Sequence, residues 1–457
     1  MTDTEEAQGA DPIEVDRLPE LSWALRAAAR RFGTPLYLTD TVAIAAAADE
    51  LRAAFPDPWI LQYSVKANDV AAVIALVAAG GLGANVVSRG EWAVARRAGI
   101  ANDRISLEGI GKTDADLRAA VRAAADGEPL RWVAVESADE AAVVARLARR
   151  AGLGRQGGGA PPLDVLLRFN PAVEPETHHG LAVGAAASKF GLADDELAGA
   201  IEAGGGADGP LRWRGIHLHV GSQLGAIDAW RDAVRRGLAL VALLRGGLPD
   251  FDTLDLGGGF PVPPFGDVGP RPERFAREVP ALLAAVPADR RPTRLAIEPG
   301  RFVVARAGWL VGAVLHVRQR PGPMVVIDTG MTELIRPALY DGRHPIVALT
   351  SLGRPVDRTP RVAAAGQRTS ARTAPTAETT AAPTDVHGPI CESTDALGLH
   401  TLPPLRRGDL VAIRDVGAYA ASFSSTYNGR PRPPQIVLDA DGRLTLARRR
   451  GSRAALG

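Results

Sequence analysis

Lysine is almost missing from this chain. Three residues, Lys66, Lys112 and Lys189, stand against fifty arginines. A chain that solvates its surface with arginine has little general use for lysine. An ammonium can shed its proton and condense with an aldehyde, whereas a guanidinium stays charged at any working pH. Each surviving lysine is therefore a candidate for chemistry, set against the plainer reading of a solvated or ion-paired side chain. Cysteine is scarcer still. The single Cys391 excludes an internal disulfide framework and fits a reducing compartment. No uninterrupted apolar stretch approaches the roughly 20 residues needed to cross a bilayer. The opening Met1–Ala7 is acidic and polar, the reverse of a secretory signal. The formal charge of +1 is spread without a basic stripe, which argues against nucleic acid or an anionic membrane as a partner. A soluble cytoplasmic protein is the expectation.

What the chain does have is length and a repeated phrase. Its 457 residues exceed one ordinary core and predict two domains or three. From Trp59 to Glu298 a short apolar run, a polar turn and an Ala/Leu/Arg stretch at helical spacing recur. The expected strands are Trp59–Val65, Gly83–Val87, Arg104–Leu107, Trp132–Val135, Asp164–Phe169, Trp213–His219, Thr253–Leu256 and Arg294–Ile297. Helical patterns such as Val70–Ala79, Glu91–Ala98, Asp114–Ala125, Ala138–Arg150, Asp194–Ala203 and Ala229–Leu244 separate them. Strand–helix alternation calls for a parallel sheet, and this span matches a closed (β/α)8 barrel of typically about 250 residues. An open doubly wound sheet is the alternative. The first strand lacks the Gly-rich dinucleotide turn that would favour it.

From Trp309 onward β-type runs dominate: Leu310–Val317, Met324–Asp328, Ile346–Leu349, Leu410–Arg414, Gln435–Leu438 and Leu444–Ala447. They predict a C-terminal all-β domain. The fold class is thus α/β, with a barrel over 39–305 and a β domain over 306–457. Residues 16–38, with the short strand Pro35–Leu38, are expected to pair back into the latter. Residues 1–15 read as a flexible N-terminus. The stretch 353–384 is rich in Thr, Ala, Pro and Arg, too poor in large apolar residues to offset ordering entropy, and reads as a disordered insertion.

Reactive residue types fall at expected strand ends. Lys66 closes the first strand, His219 the sixth, Gly257, Gly258 and Gly259 follow the seventh, and Glu298-Pro-Gly-Arg301 follows the eighth. In a barrel these converge on the C-terminal mouth. Three glycines let backbone N–H groups approach an anion, and the loops after strands seven and eight are a common phosphate site. An amine, a phosphate cradle, a flat ring and a carboxylate describe a pyridoxal phosphate site. Such a cofactor needs a protonated ring nitrogen to drain electrons, which Glu298 could hold. Singly, His219 could be a satisfied core histidine and Glu298 a salt-bridge partner of Arg301. Together with Lys66 they form a constellation.

Tyr63-Ser-Val-Lys-Ala-Asn68, His219-Val-Gly-Ser-Gln223, Asp255-Leu-Gly-Gly-Gly259, Glu298-Pro-Gly-Arg301, Gly388-Pro-Ile-Cys-Glu-Ser393 and Gly417-Ala-Tyr419 resemble the fold type III pyridoxal phosphate decarboxylases. The nearest likeness is to the branch that decarboxylates meso-diaminopimelate to L-lysine. It runs from about Thr34 to Leu438. It implies a head-to-tail homodimer with active sites at the subunit interface and a small amino acid substrate. Lys66 resembles the family's cofactor lysine and His219 its ring-stacking histidine. Ser222, Gly257, Gly258, Gly259, Glu298, Gly300, Arg301 and Tyr419 match cofactor contacts. Arg301, Arg336, Tyr340 and Tyr419 match substrate positions. Cys391 matches a proton donor reaching in from the partner subunit, and Glu392 a reader of the distal amino group. Lys112 and Lys189 receive structural or loop roles only.

Three features depart from that pattern. Asn85 stands where the family usually has Asp, Thr332-Glu333 where it usually has Asn-Asp, and the 353–384 connection is long. A decarboxylase of another amino acid, in secondary metabolism or polyamine synthesis, would share the catalytic residues. A racemase would be expected to place Arg against the ring nitrogen. A non-catalytic partner-binding homologue would be expected to lose the lysine or the cysteine.

Overall fold

The structure, a computed structural model, describes residues 16–154, 160–356 and 381–452. The chain opens with α1 (Leu18–Phe32), β1 (Leu36–Asp40) and α2 (Thr41–Ala54). Alternation follows: β2 (Ile60–Ser64), α3 (Ala71–Ala79), β3 (Gly83–Val86), α4 (Arg89–Arg97), β4 (Ile105–Leu107), α5 (Asp114–Ala125). It continues through β5 (Trp132–Val135), α6 (Ala138–Arg150), β6 (Leu163–Phe169), α7 (Leu197–Ala203), β7 (Leu211–Leu218) and α8 (Asp228–Leu244). β8 (Thr253–Asp255), α9 (Pro272–Ala276), α10 (Val279–Ala284), β9 (Arg294–Ile297) and α11 (Arg301–Val304) complete the run.

Strands β2 to β9 pair in chain order and in parallel, and β9 closes on β2 with Ile60 opposite Ala296 and Leu61 opposite Ile297. The chain forms the closed (β/α)8 barrel that the periodicity predicts, and the open doubly wound sheet is excluded. Local chemistry explains the regularity. Ser88, Thr113 and Ser137 end three short loops as N-caps, their hydroxyls accepting from the N–H groups of Glu91, Asp116 and Glu140. In α8, Trp230, Val234, Leu238 and Val241 recur at helical spacing and are buried. On β5 the period of two sends Val133 and Val135 toward the helices, while Trp132 and Ala134 join Leu166 and Ala296 in a separate inner cluster.

The remaining elements are β10 (Gly308–Gln319), β11 (Pro323–Ile327), α12 (Arg336–Tyr340), β12 (Ile346–Ala348), β13 (Thr350–Ser351) and β14 (Arg354–Pro355). After them come β15 (Ala382–His387), β16 (Ala396–Leu402), β17 (Leu410–Ile413), β18 (Gln435–Leu438) and β19 (Leu444–Arg448). Apart from β13 and β14, which pair only with each other, these strands build a sheet in the order β16-β15-β11-β10-β1-β18-β19, with β17 on β10 and β12 on β17. β1 lies antiparallel to β10 and parallel to β18, so the segment before the barrel belongs to this sheet. Helix α1 covers it, packing Leu21, Leu25 and Ala28 with Leu36, Leu38 and Ile436.

Four strands have no counterpart in the sequence reading, the two-residue β13 and β14 and the longer β15 and β16. β15 carries one large apolar residue, Val386, and its pairing with β16 shifts register after it. In β16 Leu397 and Leu402 are buried but Leu399 is exposed, so no apolar alternation marks the strand. The reading of 353–384 as one disordered insertion is corrected at both edges. Arg354–Pro355 pairs with β13, and Ala382–Thr384 pairs with β16. Backbone pairing orders these ends where side-chain burial alone would not. Residues 357–380 and 1–15 lie outside the described residues.

The two layers meet at glycine. A Cβ on Gly417 would lie 1.7 Å from the Val304 carbonyl oxygen, and one on Gly308 2.1 Å from the Gly417 nitrogen. Gly417→Ala is therefore expected to destabilise the chain by about 1–3 kcal/mol, the usual cost of overpacking. Urea denaturation checks this against Gly111→Ala, a site with open space around it. Equal midpoints for the two variants would show that the seam tolerates separation.

Candidate active site

β2 ends at Ser64, and Val65–Ala67 forms one 3-10 turn. Val65 and Ala67 are buried while Lys66 between them is exposed, so the turn sends only the amine out of the wall at the C-terminal mouth. The turn is held from both sides. Ser64 Oγ donates to the Glu298 carbonyl at 3.1 Å, Asn68 Nδ2 to the Gly417 carbonyl at 3.0 Å, and Tyr419 N to the Ala67 carbonyl at 2.8 Å. The other lysines differ. The Lys112 side chain is fully buried, 3.1 Å from Glu140 Oε1, and also donates to the Gly109 carbonyl, so it ties the β4–α5 loop to the start of α6. Lys189 is exposed beside the Phe190 ring.

His219 follows β7 and is half-buried, its Nδ1 accepting from Gly258 N at 3.3 Å. Burial, with Lys66 and Arg168 nearby, holds it well below the usual histidine range, so the ring is neutral. Gly257 has φ of 66° and Gly259 of 109°, backbone states that favour glycine. A Cβ on Gly258 would lie 2.5 Å from the Glu298 carbonyl oxygen, so the three glycines leave a backbone cradle that a side chain would close. Gly300 packs in turn against Ser64 and Ala67. Arg301 is buried, its Nη2 donating to Ser222 Oγ at 3.0 Å and its guanidinium carbon 4.8 Å from the Tyr419 ring centre. Tyr419 holds a φ of 57°, rare for a residue with a ring.

Glu298 is buried on the barrel axis side of this group. Its Oε1 accepts from Asn85 Nδ2 at 2.5 Å, and its Oε2 lies 3.3 Å from His217 Nε2. His217 Nε2 is also 3.2 Å from Glu108 Oε2, and Glu108 Oε1 accepts from Trp132 Nε1 at 3.2 Å. Asn85, the first departure from the family pattern, thus supplies a donor to Glu298. The second departure is structural: Glu333 is buried and accepts from Gly330 N and Thr329 Oγ1.

Beside these groups lies a cavity of about 260 Å³ whose lining includes Thr177, Gln223, Arg301, Arg336, Tyr340 and His344. Arg301 Nε and Arg336 Nη1 are buried without partners. Burial lowers both guanidinium pKa values, and Arg336 adds its repulsion to Arg301. Two neighbouring buried cations with open N–H groups make an anion site, suited to a carboxylate. Arg336 is oriented by His344, whose Nε2 accepts from Arg336 Nε at 3.3 Å while Nδ1 lies 3.0 Å from the Arg414 carbonyl. Those roles require a neutral imidazole, and burial plus Arg336 press His344 to about 3.

Lys66, His219, Ser222, the glycines, Glu298, Arg301, Arg336, Tyr340 and Tyr419 therefore lie around the mouth or the cavity. Cys391 and Glu392 do not line the cavity: both are exposed, and Glu392 Oε1 accepts from Tyr427 Oη at 2.5 Å. Sequence reasoning passed over Glu108, His217 and His344. His217 was legible, being two residues before His219 on one strand face. Glu108 follows β4 and His344 precedes β12, both outside regular elements, and they gave no local signal. An exposed amine among buried neighbours, a glycine cradle, a neutral ring and a buried carboxylate fit pyridoxal phosphate.

The family description "Pyridoxal-dependent decarboxylase, pyridoxal binding domain" matches residues 42–305. A diaminopimelate decarboxylase of Aquifex aeolicus is 33% identical over 432 residues, 93% of this chain and 91% of that protein. That of Actinosynnema pretiosum is 35% identical, covering 92% of this chain and 87% of its own. The crystal structure of diaminopimelate decarboxylase from Helicobacter pylori complexed with L-lysine aligns at a TM-score of 0.79 and 28% identity, covering 94% of this chain and 98% of that one. A lysine/ornithine decarboxylase from Vibrio vulnificus, at 23% identity and a TM-score of 0.71, shares the fold.

The His344 contact carries a pH signature. An unfolded histidine takes up a proton near 6.5, whereas the folded one does so only near 3. Between those values the unfolded state binds more protons, so this contribution is complete above pH 6.5 and is lost as pH falls. Relative to His344→Gln, the native protein is expected to lose about 1.4 kcal/mol of unfolding free energy between pH 7.5 and 5.5. Urea denaturation at the two pH values measures it; a constant difference would mean that His344 takes up its proton equally in the folded and unfolded states.

Proposed function

The chain belongs to the pyridoxal-dependent decarboxylases, and we propose that it converts meso-2,6-diaminopimelate to L-lysine and carbon dioxide. Pyridoxal 5'-phosphate is its cofactor. When bound, the cofactor's pyridinium accepts the electron pair that the departing carboxylate leaves behind. Lys66 anchors the aldehyde carbon. The Gly257–Gly259 backbone, with Gly300 and Ser222, holds the phosphate. His219, neutral, would pack against the cofactor ring, and Glu298 would hold the proton of its ring nitrogen. Tyr419 closes the site from the β domain.

The observation that carries the substrate reading is the pair of buried arginines with open N–H groups on the cavity. The substrate's D-configured end would be held beside Lys66, and its L-configured end must be recognised by other side chains. Arg301 and Arg336 receive that distal carboxylate, with Tyr340 beside them. Glu392 takes the distal ammonium, and Cys391 Sγ delivers the proton that replaces the lost carboxylate. Both residues are exposed and outside the cavity of their own chain, which supports a homodimer in which each subunit completes the other's site. One exposed thiol in such a role suits the reducing cytoplasm. Among the described residues no helix is long and apolar enough to cross a membrane.

Incubating the cofactor-loaded protein with meso-diaminopimelate, lysine, ornithine and arginine, and identifying products by mass spectrometry, tests the reading. A missing charge-assisted contact costs on the order of 1.5–3 kcal/mol, so lysine and ornithine are expected to react at least about tenfold less efficiently. Equal kcat/KM for ornithine or lysine would move the protein to another amino acid while leaving the decarboxylase reading intact.

The shared site has its own test. Lys66→Ala and Cys391→Ala proteins are each expected to be inactive. Mixed and re-associated, they should regain part of the activity, because a hybrid dimer holds one intact site. No recovery after demonstrated subunit exchange would place both residues in one chain's site.

A further inference from the structure

Nearly every barrel strand ends in a polar side chain within one buried tier below the mouth: Asn85, Glu108, Glu136, Arg168, His217, Asp255 and Glu298. Arg168 and Glu136 neutralise each other at 2.8 Å. That leaves the buried carboxyls of Glu108, Asp255 and Glu298, of which Glu298 feels Lys66, with His217 and His219 nearby. Three carboxylates cannot all stay ionised in so small a buried space against one cation. Asp255 is pushed well up by burial and by both glutamates. The remaining question is which of Glu108 and Glu298 keeps the negative charge.

The hydrogen bonds decide it. Glu298 accepts from Asn85 at one oxygen and faces His217 Nε2 at the other. One carboxylate oxygen of each glutamate lies within 4.8 Å of the other and of a His217 ring nitrogen, close enough that a proton held by one glutamate stabilises the negative charge on its neighbour. His217 Nδ1 is buried without a partner, so the ring's one proton sits on Nε2, between the two carboxyl groups. Donors from Asn85, His217 and Glu108 fill three of the four acceptor positions of a carboxylate and leave one open. We infer that Glu108 holds a proton against Glu298 and, with His217, is a positioning residue that keeps Glu298 a carboxylate opposite the cofactor's ring nitrogen. The inference rests on the pyridoxal phosphate reading of the site. Burial and the charge of Glu298 lift Glu108 to about 7, and burial presses His217 to about 4, in accord with that distribution. Ionising Glu108 would set a second anion beside Glu298 and shift the field at the ring.

Native, Glu108→Gln and Glu108→Ala proteins, each loaded with pyridoxal phosphate, provide the test. A glutamine amide can donate as a protonated carboxyl does, while its oxygen still accepts from Trp132. Glu108→Ala is expected to bind the cofactor at least about tenfold more weakly, and Glu108→Gln to recover most of that loss. The native cofactor absorption should show a transition near pH 7 that Glu108→Gln lacks. Binding by Glu108→Gln as weak as by Glu108→Ala would show that the anion is needed, and native affinity in both would show that Glu108 has no part. A transition unchanged in Glu108→Gln would assign the proton elsewhere, and this comparison stands even if Glu108→Ala fails to fold. Borohydride should fix the cofactor to the Lys66 peptide throughout. Failure to do so in the native protein would overturn the cofactor reading itself, an outcome distinct from failure of the Glu108 assignment.

Discussion

The site depends on one backbone clamp. The turn Val416–Tyr419 of the β domain presses against the end of the barrel so closely that Gly417 sits on the Val304 carbonyl and on Gly308. From there Gly417 O accepts from Asn68, and Tyr419 N donates to the carbonyl of Ala67. Those bonds flank Lys66 on its C-terminal side, while Ser64 is bonded to the Glu298 backbone on the other. The amine is therefore placed by main-chain contacts from two sheets rather than by its own flexible stem. Positioning of this kind reduces the entropy that a long side chain would otherwise lose on reaching a productive geometry. The positive φ of Tyr419 belongs to the same clamp, since a strained backbone persists only where its surroundings over-determine it.

The barrel solves a second problem, the burial of charge. An isolated buried carboxylate or guanidinium is costly, and breaking one half of a buried pair costs several kcal/mol. Here the strands deliver partners by register. Arg168 meets Glu136 from the adjacent strand, Glu298 meets Asn85 and His217, and Glu108 meets Trp132. Neighbouring strands lie about 5 Å apart, so one residue per strand end suffices to build such a ring. A barrel mouth is favourable for this chemistry because eight strands converge there, each contributing one side chain without a loop.

How much of this was legible depends on the kind of signal. The barrel strands were, because an apolar run followed by a helical stretch has only one period to obey. Lys66 was, because its scarcity isolates it, and the glycines and Glu298 stood out by their place after strands. β15 and β16 were not. Their order comes from backbone pairing with neighbours far along the chain, and Leu399 on the exposed face breaks the expected alternation. Glu108 and His344 were hidden for a related reason. Each matters through a partner elsewhere, His217 on a distant strand and Arg336 across the short helix α12, and composition does not record such meetings. The separation of Cys391 and Glu392 from their own chain's cavity likewise has no local mark.

Arg301 stands where the two halves of the site join. It donates to Ser222, beside the cofactor segment, lies over the Tyr419 ring, lines the cavity together with Arg336, and keeps a buried Nε without a partner. Replacing it would disturb the clamp residue and the anion site together. Arg336 is different. Its support comes from His344 and the carbonyl of Arg414, both on the β domain side and away from Lys66. The distal pocket can therefore be altered at Arg336, Tyr340 and His344 while the amine, the glycine cradle and Glu298 keep their contacts. In the proposed reading the substrate's far end meets Arg336 and Tyr340 from the β domain and Arg301 from the barrel, so only part of its recognition can be altered without touching the barrel that carries Lys66, the glycines and Glu298.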